Sequence, residues 1–282
     1  MKLLMIGDVV SHPGCETVRK CLPVLKRRFG VDAAIVNGEN SAVGNGILPS
    51  SAEHLLDSGA DIITTGNHAF KRREIYDYFS SHEQVIRPAN YPPAAPGAGV
   101  YRYDGGAFSL LVINLQGTSF MEPIENPFHA VDRILREEEK ATFTVVDFHA
   151  EATGEKKAMG FYLDGRVSAV FGTHTHVQTA DEEILPNGTA YLTDVGMTGP
   201  AYSALGVKPA CVIERLRTSL PTRFEVEREV PCRMDGVFAE FDPKTGLCVK
   251  IDRFCARIAP GHTEFTLQIA GERDIIEHVK TR

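Results

Sequence analysis

Eight residues that follow short apolar runs offer side chains that could bind cations or move protons: Asp8, Glu39, Asn40, Asn67, His68, His149, His174 and His176. None is a thiol. Imidazole, carboxylate and carboxamide groups together suit hard or intermediate metals such as Fe, Mn or Zn at catalytic centres, whereas closed structural zinc sites usually recruit cysteine. Eight such groups exceed the needs of one ion. Two cations about 3.5 to 4 Å apart, bridged by one carboxylate, would use the set, and such a pair is the recurring device for hydrolysing phosphate esters.

Taken singly, each motif has an ordinary reading. Asp8 reads as an N-cap for a helix starting near Pro13. Glu39-Asn40 reads as a turn, and Gly66-Asn67-His68 as a tight turn with a packed histidine. The two imidazoles of His174-Thr175-His176 reach different ions only where the backbone leaves the extended conformation, which the preceding Gly172 favours. What distinguishes the set is its placement. Each motif follows a short β-rich run: Lys2 to Ile6, Ala33 to Val36, Asp61 to Thr65, Thr142 to Val146 and Val167 to Phe171, with Ala190 to Thr193 leading in the same way into Asp194. His12, His54, His82, His129, His262 and His278 lack that placement and read as surface or packing residues.

The helix-like segments Cys15 to Phe29, Ser51 to Ser58 and Arg72 to Ser80 lie between the early runs, which is the alternation of βαβ units around a buried sheet. Right-handed crossovers bring the polar motifs to one edge, outside the carboxyl ends of the strands, where open α/β sheets bind ligands. The proline-rich stretch from Arg87 to Gly97 is a rigid connection, followed by a hairpin around Gly105-Gly106. Phe128 to Lys140 is an amphipathic helix whose Glu137-Glu138-Glu139 is its solvated face. From Gly196 to about Val230 the pattern turns irregular. Gly236 to Phe241 and Leu247 to Phe254 make a hairpin, and the tail from Pro260 reads as peripheral.

The chain has 282 residues, enough for one large domain with a small appendage, and its 43% hydrophobic and 24% charged residues are a globular balance. Thirty basic residues against 37 acidic ones leave a net charge of −7, which excludes a footprint for duplex nucleic acid but admits a small phosphorylated ligand. No apolar run reaches the roughly 18 residues of a membrane span, and the start of the chain reads as a first strand rather than a secretory signal. Six cysteines without CxxC spacing indicate neither a disulfide scaffold nor a zinc ribbon, and a reducing cytoplasm is the expected setting.

The order Gly7-Asp8, Asn37-Gly38-Glu39-Asn40, Gly66-Asn67-His68, His149 and Gly172-Thr173-His174-Thr175-His176 resembles the calcineurin-like metallophosphoesterase superfamily. Gly7-Asp8-Val9-Val10, Asp147-Phe148-His149-Ala150-Glu151-Ala152-Thr153 with Glu155-Lys156, and Asp194-Val195-Gly196-Met197-Thr198-Gly199 narrow the resemblance to its bacterial YmdB-type subfamily, over nearly the whole chain to about Phe254. Val10 stands where many superfamily members place a metal-binding histidine, Ala69 where many have an acidic partner for the preceding histidine, and Ser11 in place of a glycine.

The resemblance implies a four-layer α/β/β/α fold with a small capping subdomain: residues 1–196 and 231–258 as the metallophosphoesterase domain, 197–230 as the cap and 259–282 as a peripheral tail. It implies two divalent or trivalent metal ions, iron before manganese or zinc. Asp8, Glu39, Asn40 and His176 would hold one, and Glu39, Asn67, His149 and His174 the other, with Glu39 as bridge. His68 would be the catalytic proton donor to the leaving oxygen. The activity implied is hydrolysis of cyclic nucleotides, 2′,3′-cyclic and also 3′,5′-cyclic, by a hydroxide that the two cations activate. A homo-oligomer is expected, with a small phosphodiester nucleotide as substrate and neither duplex nucleic acid nor membrane as partner. The metal ligands alone leave open a phosphomonoesterase or nucleotidase, and a nucleotide-binding regulatory protein with slow hydrolysis.

Overall fold

Lys2–Ile6 and Ala33–Asn37 are apolar at nearly every position, so strands built from them need cover on both faces. The computed structural model, which describes residues 1–228, 230–272 and 274–279, supplies that cover with two stacked sheets and flanking helices. In chain order the first half holds β1 (Lys2–Ile6), β2 (Asp8–Val9), α1 (Ser11–Phe29), β3 (Ala33–Asn37), α2 (Pro49–Asp57), β4 (Ile62–Thr64), α3 (Ile75–Ser81), β5 (Val100–Asp104), β6 (Ser109–Gln116) and α4 (Pro127–Glu137). The second holds β7 (Phe143–His149), α5 (Thr153–Leu163), β8 (Ala169–Thr173), β9 (Glu183–Ile184), β10 (Ala190–Leu192), β11 (Met197–Pro200), α6 (Pro209–Thr218), β12 (Cys232–Phe241), β13 (Cys248–Ile258), β14 (Glu264–Ile269) and β15 (Ile275–His278).

One sheet runs β15-β14-β13-β12-β1-β3-β4, with β11 and β2 joined at the end of β12; the other runs β5-β6-β7-β8-β10-β9. The strand alternation divides the core into three layers. Leu3, Met5, Ala33 and Ile35 point between the sheets and meet Val145, Phe171, Leu192 and Val237. Leu4, Ile6, Ala34 and Val36 point outward beneath α1 and α2, against Leu22, Leu25 and Leu55. Val146, Phe148 and Val170 pack under α4 and α5 against Val131, Ile134, Met159 and Leu163. The result is the four-layer α/β/β/α sandwich.

The parallel strands β1, β3 and β4 of one sheet, and β6, β7, β8 and β10 of the other, supply the strand ends expected from the sequence. The stretch 197–230 begins as β11, paired with β12 and β2, and continues through α6. The residues after Pro260 extend the first sheet as two edge strands, with Phe265, Leu267 and Ile269 buried against the first core layer. Residues 229, 273 and 280–282 of the expected cap and tail lie outside the described residues.

Candidate metal centre

The strand ends bring eight polar side chains to one place. Asp8 begins β2 rather than capping α1, whose N-cap is Val10 without a side-chain bond. Its Oδ2 instead accepts the backbone N–H of His174 at 3.1 Å. Past β3, Asn37 Oδ1 accepts the N–H of Glu39 at 3.1 Å and turns the chain so that Glu39 is fully buried. Gly66 is required where β4 leads into Asn67. A Cβ there would lie 2.2 Å from His149 Nε2 and 2.4 Å from Glu39 Oε2, so any side chain would displace the centre itself.

His174 and His176 both have left-handed backbone, φ 99° and 63°, and face different groups. The expectation that Gly172 supplies this freedom is corrected. Gly172 is a regular residue of β8 that leaves room for Thr193 O, and the two histidines carry the strain themselves. They are held through the residue between them: Asp194 Oδ2 accepts both the Thr175 N–H at 3.0 Å and the Thr175 hydroxyl at 2.6 Å.

Two groups of potential ligands result, Glu39 with His149 and His174, and Asp8 with Glu39 and His176, the offered atoms of each lying within 4.8 Å of one another. Glu39 belongs to both. Around His149 Nε2, Asn67 Oδ1, Glu39 Oε2 and His174 Nδ1 all lie at 3.1 Å. One N–H cannot satisfy three partners, and His174 Nδ1 offers only a lone pair if its own proton is on Nε2, which faces Glu151 Oε2 at 3.0 Å. Asp8 Oδ1 is buried with no hydrogen-bond partner, 3.8 Å from His176 Nε2. Convergent lone pairs and an unpartnered buried carboxylate oxygen are what a cation would satisfy, and the nitrogen and oxygen donors fit a divalent ion.

The His149 ring is fixed from behind. Thr173 Oγ1 donates its single proton to Asp147 Oδ1 at 2.7 Å and therefore accepts from His149 Nδ1 at 2.8 Å, leaving Nε2 to face the centre. Asn37 Nδ2 donates to the other Asp147 oxygen. Burial raises the Asp147 pKa to about 6. Burial alone would push the His149 pKa down, but Glu39, with Asp8 and Asp147, outweighs it and lifts the value to about 9. Burial likewise favours a neutral Glu39, yet His149 and His68 hold its carboxyl well below the usual range. For His174, burial and then the neighbouring His149 charge push the pKa down to about 3.

Asn40 and His68 complete the set. Asn40 Nδ2 donates to Glu39 Oε1 at 2.7 Å and faces His176 Nε2 at 3.3 Å, while its Oδ1 faces His68 Nδ1 at 2.9 Å. His68 Nδ1 is also 3.2 Å from Glu39 Oε1, so the acidic partner missing at Ala69 is supplied from the 39–40 turn. All eight expected residues thus meet. Of the histidines read as surface or packing residues, His82 stacks on Tyr78, and His54 and His278 face Glu16 and Glu264. The bracing residues Asp147, Thr173, Glu151 and Asp194 carry no role in the sequence reading. The available signal was a carboxylate inside or directly after an apolar strand, as at Asp147 and Asp194.

A cavity opens over the centre, lined by Glu39, Asn40, His68 and His174 on one side and by Leu205, Val207, Val212 and Phe224 from the 197–230 stretch on the other. Among the described residues no Lys or Arg lines it.

A two-sheet α/β/β/α sandwich with these groups at its strand ends defines a metallophosphoesterase, a hydrolase of phosphate esters. Within that class the chain belongs to the YmdB-like protein family, whose model matches residues 4–254. It is 47% identical to a 2′,3′-cyclic-nucleotide 2′-phosphodiesterase of Bacillus subtilis over 90% of this chain and 96% of that one. A crystal structure of a hypothetical protein from Thermus thermophilus is 42% identical with a TM-score of 0.86, over 91% of this chain and 99% of that one. That of a novel phosphatase from Mycoplasma pneumoniae is 33% identical with a TM-score of 0.86, over 92% and 95%.

Proposed function

We propose that this chain is a phosphodiesterase acting on 2′,3′-cyclic nucleotides, with 3′,5′-cyclic nucleotides as secondary substrates. The observation that carries the reading is the position of Glu39, one carboxylate common to both ligand groups and buried between them. Asp8, Glu39, Asn40 and His176 would hold one ion, and Glu39, Asn67, His149 and His174 the other, with iron as the expected metal and manganese or zinc as alternatives. When bound, such a pair supplies activation of the attacking water and neutralises charge on the phosphoryl oxygens.

The protein's own groups do the rest. His68, which lines the cavity, would protonate the leaving alkoxide. Its Nδ1 faces two acceptors, Asn40 Oδ1 at 2.9 Å and Glu39 Oε1 at 3.2 Å, which orient the ring and leave Nε2 as the nitrogen that would give up the proton. The apolar wall from the 197–230 cap excludes water, and the absence of Lys and Arg from the lining among the described residues favours a singly charged diester over a doubly charged monoester. The B. subtilis relative's name supports the 2′,3′-cyclic class.

The six cysteines are free, which accords with the reducing cytoplasmic setting proposed here. α6 buries no residue and exposes Ile213 and Leu216, which supports a homo-oligomer. The deciding experiment is turnover of 2′,3′-cyclic AMP, 3′,5′-cyclic AMP, a bis-ester and a monoester by protein of measured metal content. The reading predicts about two ions per chain and the highest kcat/KM on the 2′,3′-cyclic ester. Preference for the monoester makes it a phosphomonoesterase or nucleotidase, and tight nucleotide binding without turnover makes it a regulatory protein.

A further inference from the structure

Phe120 is 92% exposed on the loop between β6 and α4, and its backbone is left-handed with φ 62°. A bulky L-residue adopts that conformation at a steric cost, and a ring in solvent returns nothing through burial. Yet the loop is held firmly. Gly117 N–H donates to His149 O at 2.9 Å, and the Glu155 carboxylate accepts from Thr118 N at 2.9 Å, Thr118 Oγ1 at 3.2 Å and Ser119 N at 3.2 Å. At its far end Asn90 Nδ2 donates to Glu125 O at 2.9 Å. A strained residue fixed in place and exposed is the pattern of a ligand clamp.

The ring stands beside the metal centre. Phe120, Met121 and Glu122 line a second cavity together with Asn67 and His174, and His174 also lines the cavity over the centre. An exposed aromatic face next to a phosphate-hydrolysing centre offers a planar base a stacking surface that tolerates any base.

We propose that Phe120 is the nucleobase platform of this enzyme, the residue that selects nucleotide diesters over base-free ones. This rests on the phosphodiesterase reading above and adds to it the part of the substrate that is gripped. Glu155, whose carboxylate accepts hydrogen bonds from Thr118 and Ser119 of the loop, is a positioning residue for the platform.

The test compares 2′,3′-cyclic AMP with methyl ribofuranoside 2,3-cyclic phosphate, which has the same ester and no base. Phe120→Ala is expected to raise KM for the nucleotide about tenfold relative to the base-free ester with kcat retained. Phe120→Asn, which tolerates the left-handed backbone, should do the same, and Phe120→Tyr should restore the wild-type ratio. Calorimetric binding of adenosine 3′-monophosphate against ribose 3-phosphate provides the same ratio without turnover. It therefore judges the platform even if the wild-type protein fails to hydrolyse the cyclic nucleotide, an outcome that would sink the functional reading instead. An unchanged ratio in both Phe120→Ala and Phe120→Asn, or a shift of that ratio by Phe224→Ala alone, overturns the proposal.

Discussion

Lys156 Nζ lies 2.7 Å from Asp194 Oδ2, an ion pair buried at both ends, and that same oxygen receives both hydrogen bonds from Thr175. The pair therefore braces the loop that carries His174 and His176 in left-handed backbone. Removing one partner of a buried pair costs about 3 to 5 kcal/mol, because the other charge stays buried and unmatched. Lys156→Met should lower stability to chemical unfolding by about that much and reduce metal content. A variant with unchanged stability and full metal content would show that Thr175 holds the loop without help.

Ser11 has φ 56°, is buried and has a hydroxyl without a partner. The glycine expected at this place would relieve the backbone, at some entropic cost in the unfolded chain. Ser11→Gly should stabilise the protein by about 1 kcal/mol, seen as a higher melting temperature. A lower one would mean that the hydroxyl is used.

Glu39→Gln keeps the volume of the side chain but removes the charge shared by the two ligand groups. Circular dichroism should show the native fold, while metal content and turnover collapse. Near-native activity in folded protein would reduce Glu39 to a turn residue.

Without metal, His149 keeps its proton up to about pH 9 while Glu39 stays ionised. Because the folded pKa lies above the unfolded value of about 6.5, this pairing stabilises the metal-free protein fully below pH 6.5 and the contribution is lost as pH rises through about 9. Metal uptake through His149 would displace that proton. Calorimetry in buffers of different ionisation enthalpy should find about one proton released per chain at pH 7.5 from this site, with affinity rising as pH rises. Uptake without proton release would exclude His149 as a ligand.

His68→Ala should lower kcat by about 10² to 10⁴ on a ribose ester, whose alkoxide needs a proton to leave. On a nitrophenyl ester the deficit should shrink, and metal content should stay. An equal loss on both esters together with loss of an ion would make His68 a ligand.

The strands and the ends where chemistry gathers were legible from the sequence for a local reason. An apolar run such as Ala33 to Val36 must be buried, and the polar Glu39-Asn40 that follows must be at its rim. Repeated at β1, β4, β7 and β8, this placed all eight residues before any contact was known. The family resemblance then added the second sheet and the division of ligands, which alternation alone did not contain.

Other features depended on distances between residues far apart in the chain. Nothing near Asp147 in sequence says that Thr173 carries its influence to His149, because the relay closes only when β7 and β8 lie side by side. The sequence pointed to a non-extended backbone here but assigned its freedom to Gly172; that His174 and His176 carry it themselves goes with Asp194, just past β10, gripping Thr175. Phe120 carries no signal in the sequence, because only Glu155, far onward in the chain, fixes its loop beside Asn67 and His174. Residue type and burial periodicity are local properties that the sequence by itself determined. Tautomer, backbone strain and the aim of an exposed ring were decided only by the tertiary structure, because each is set by a partner that chain folding alone brings within reach.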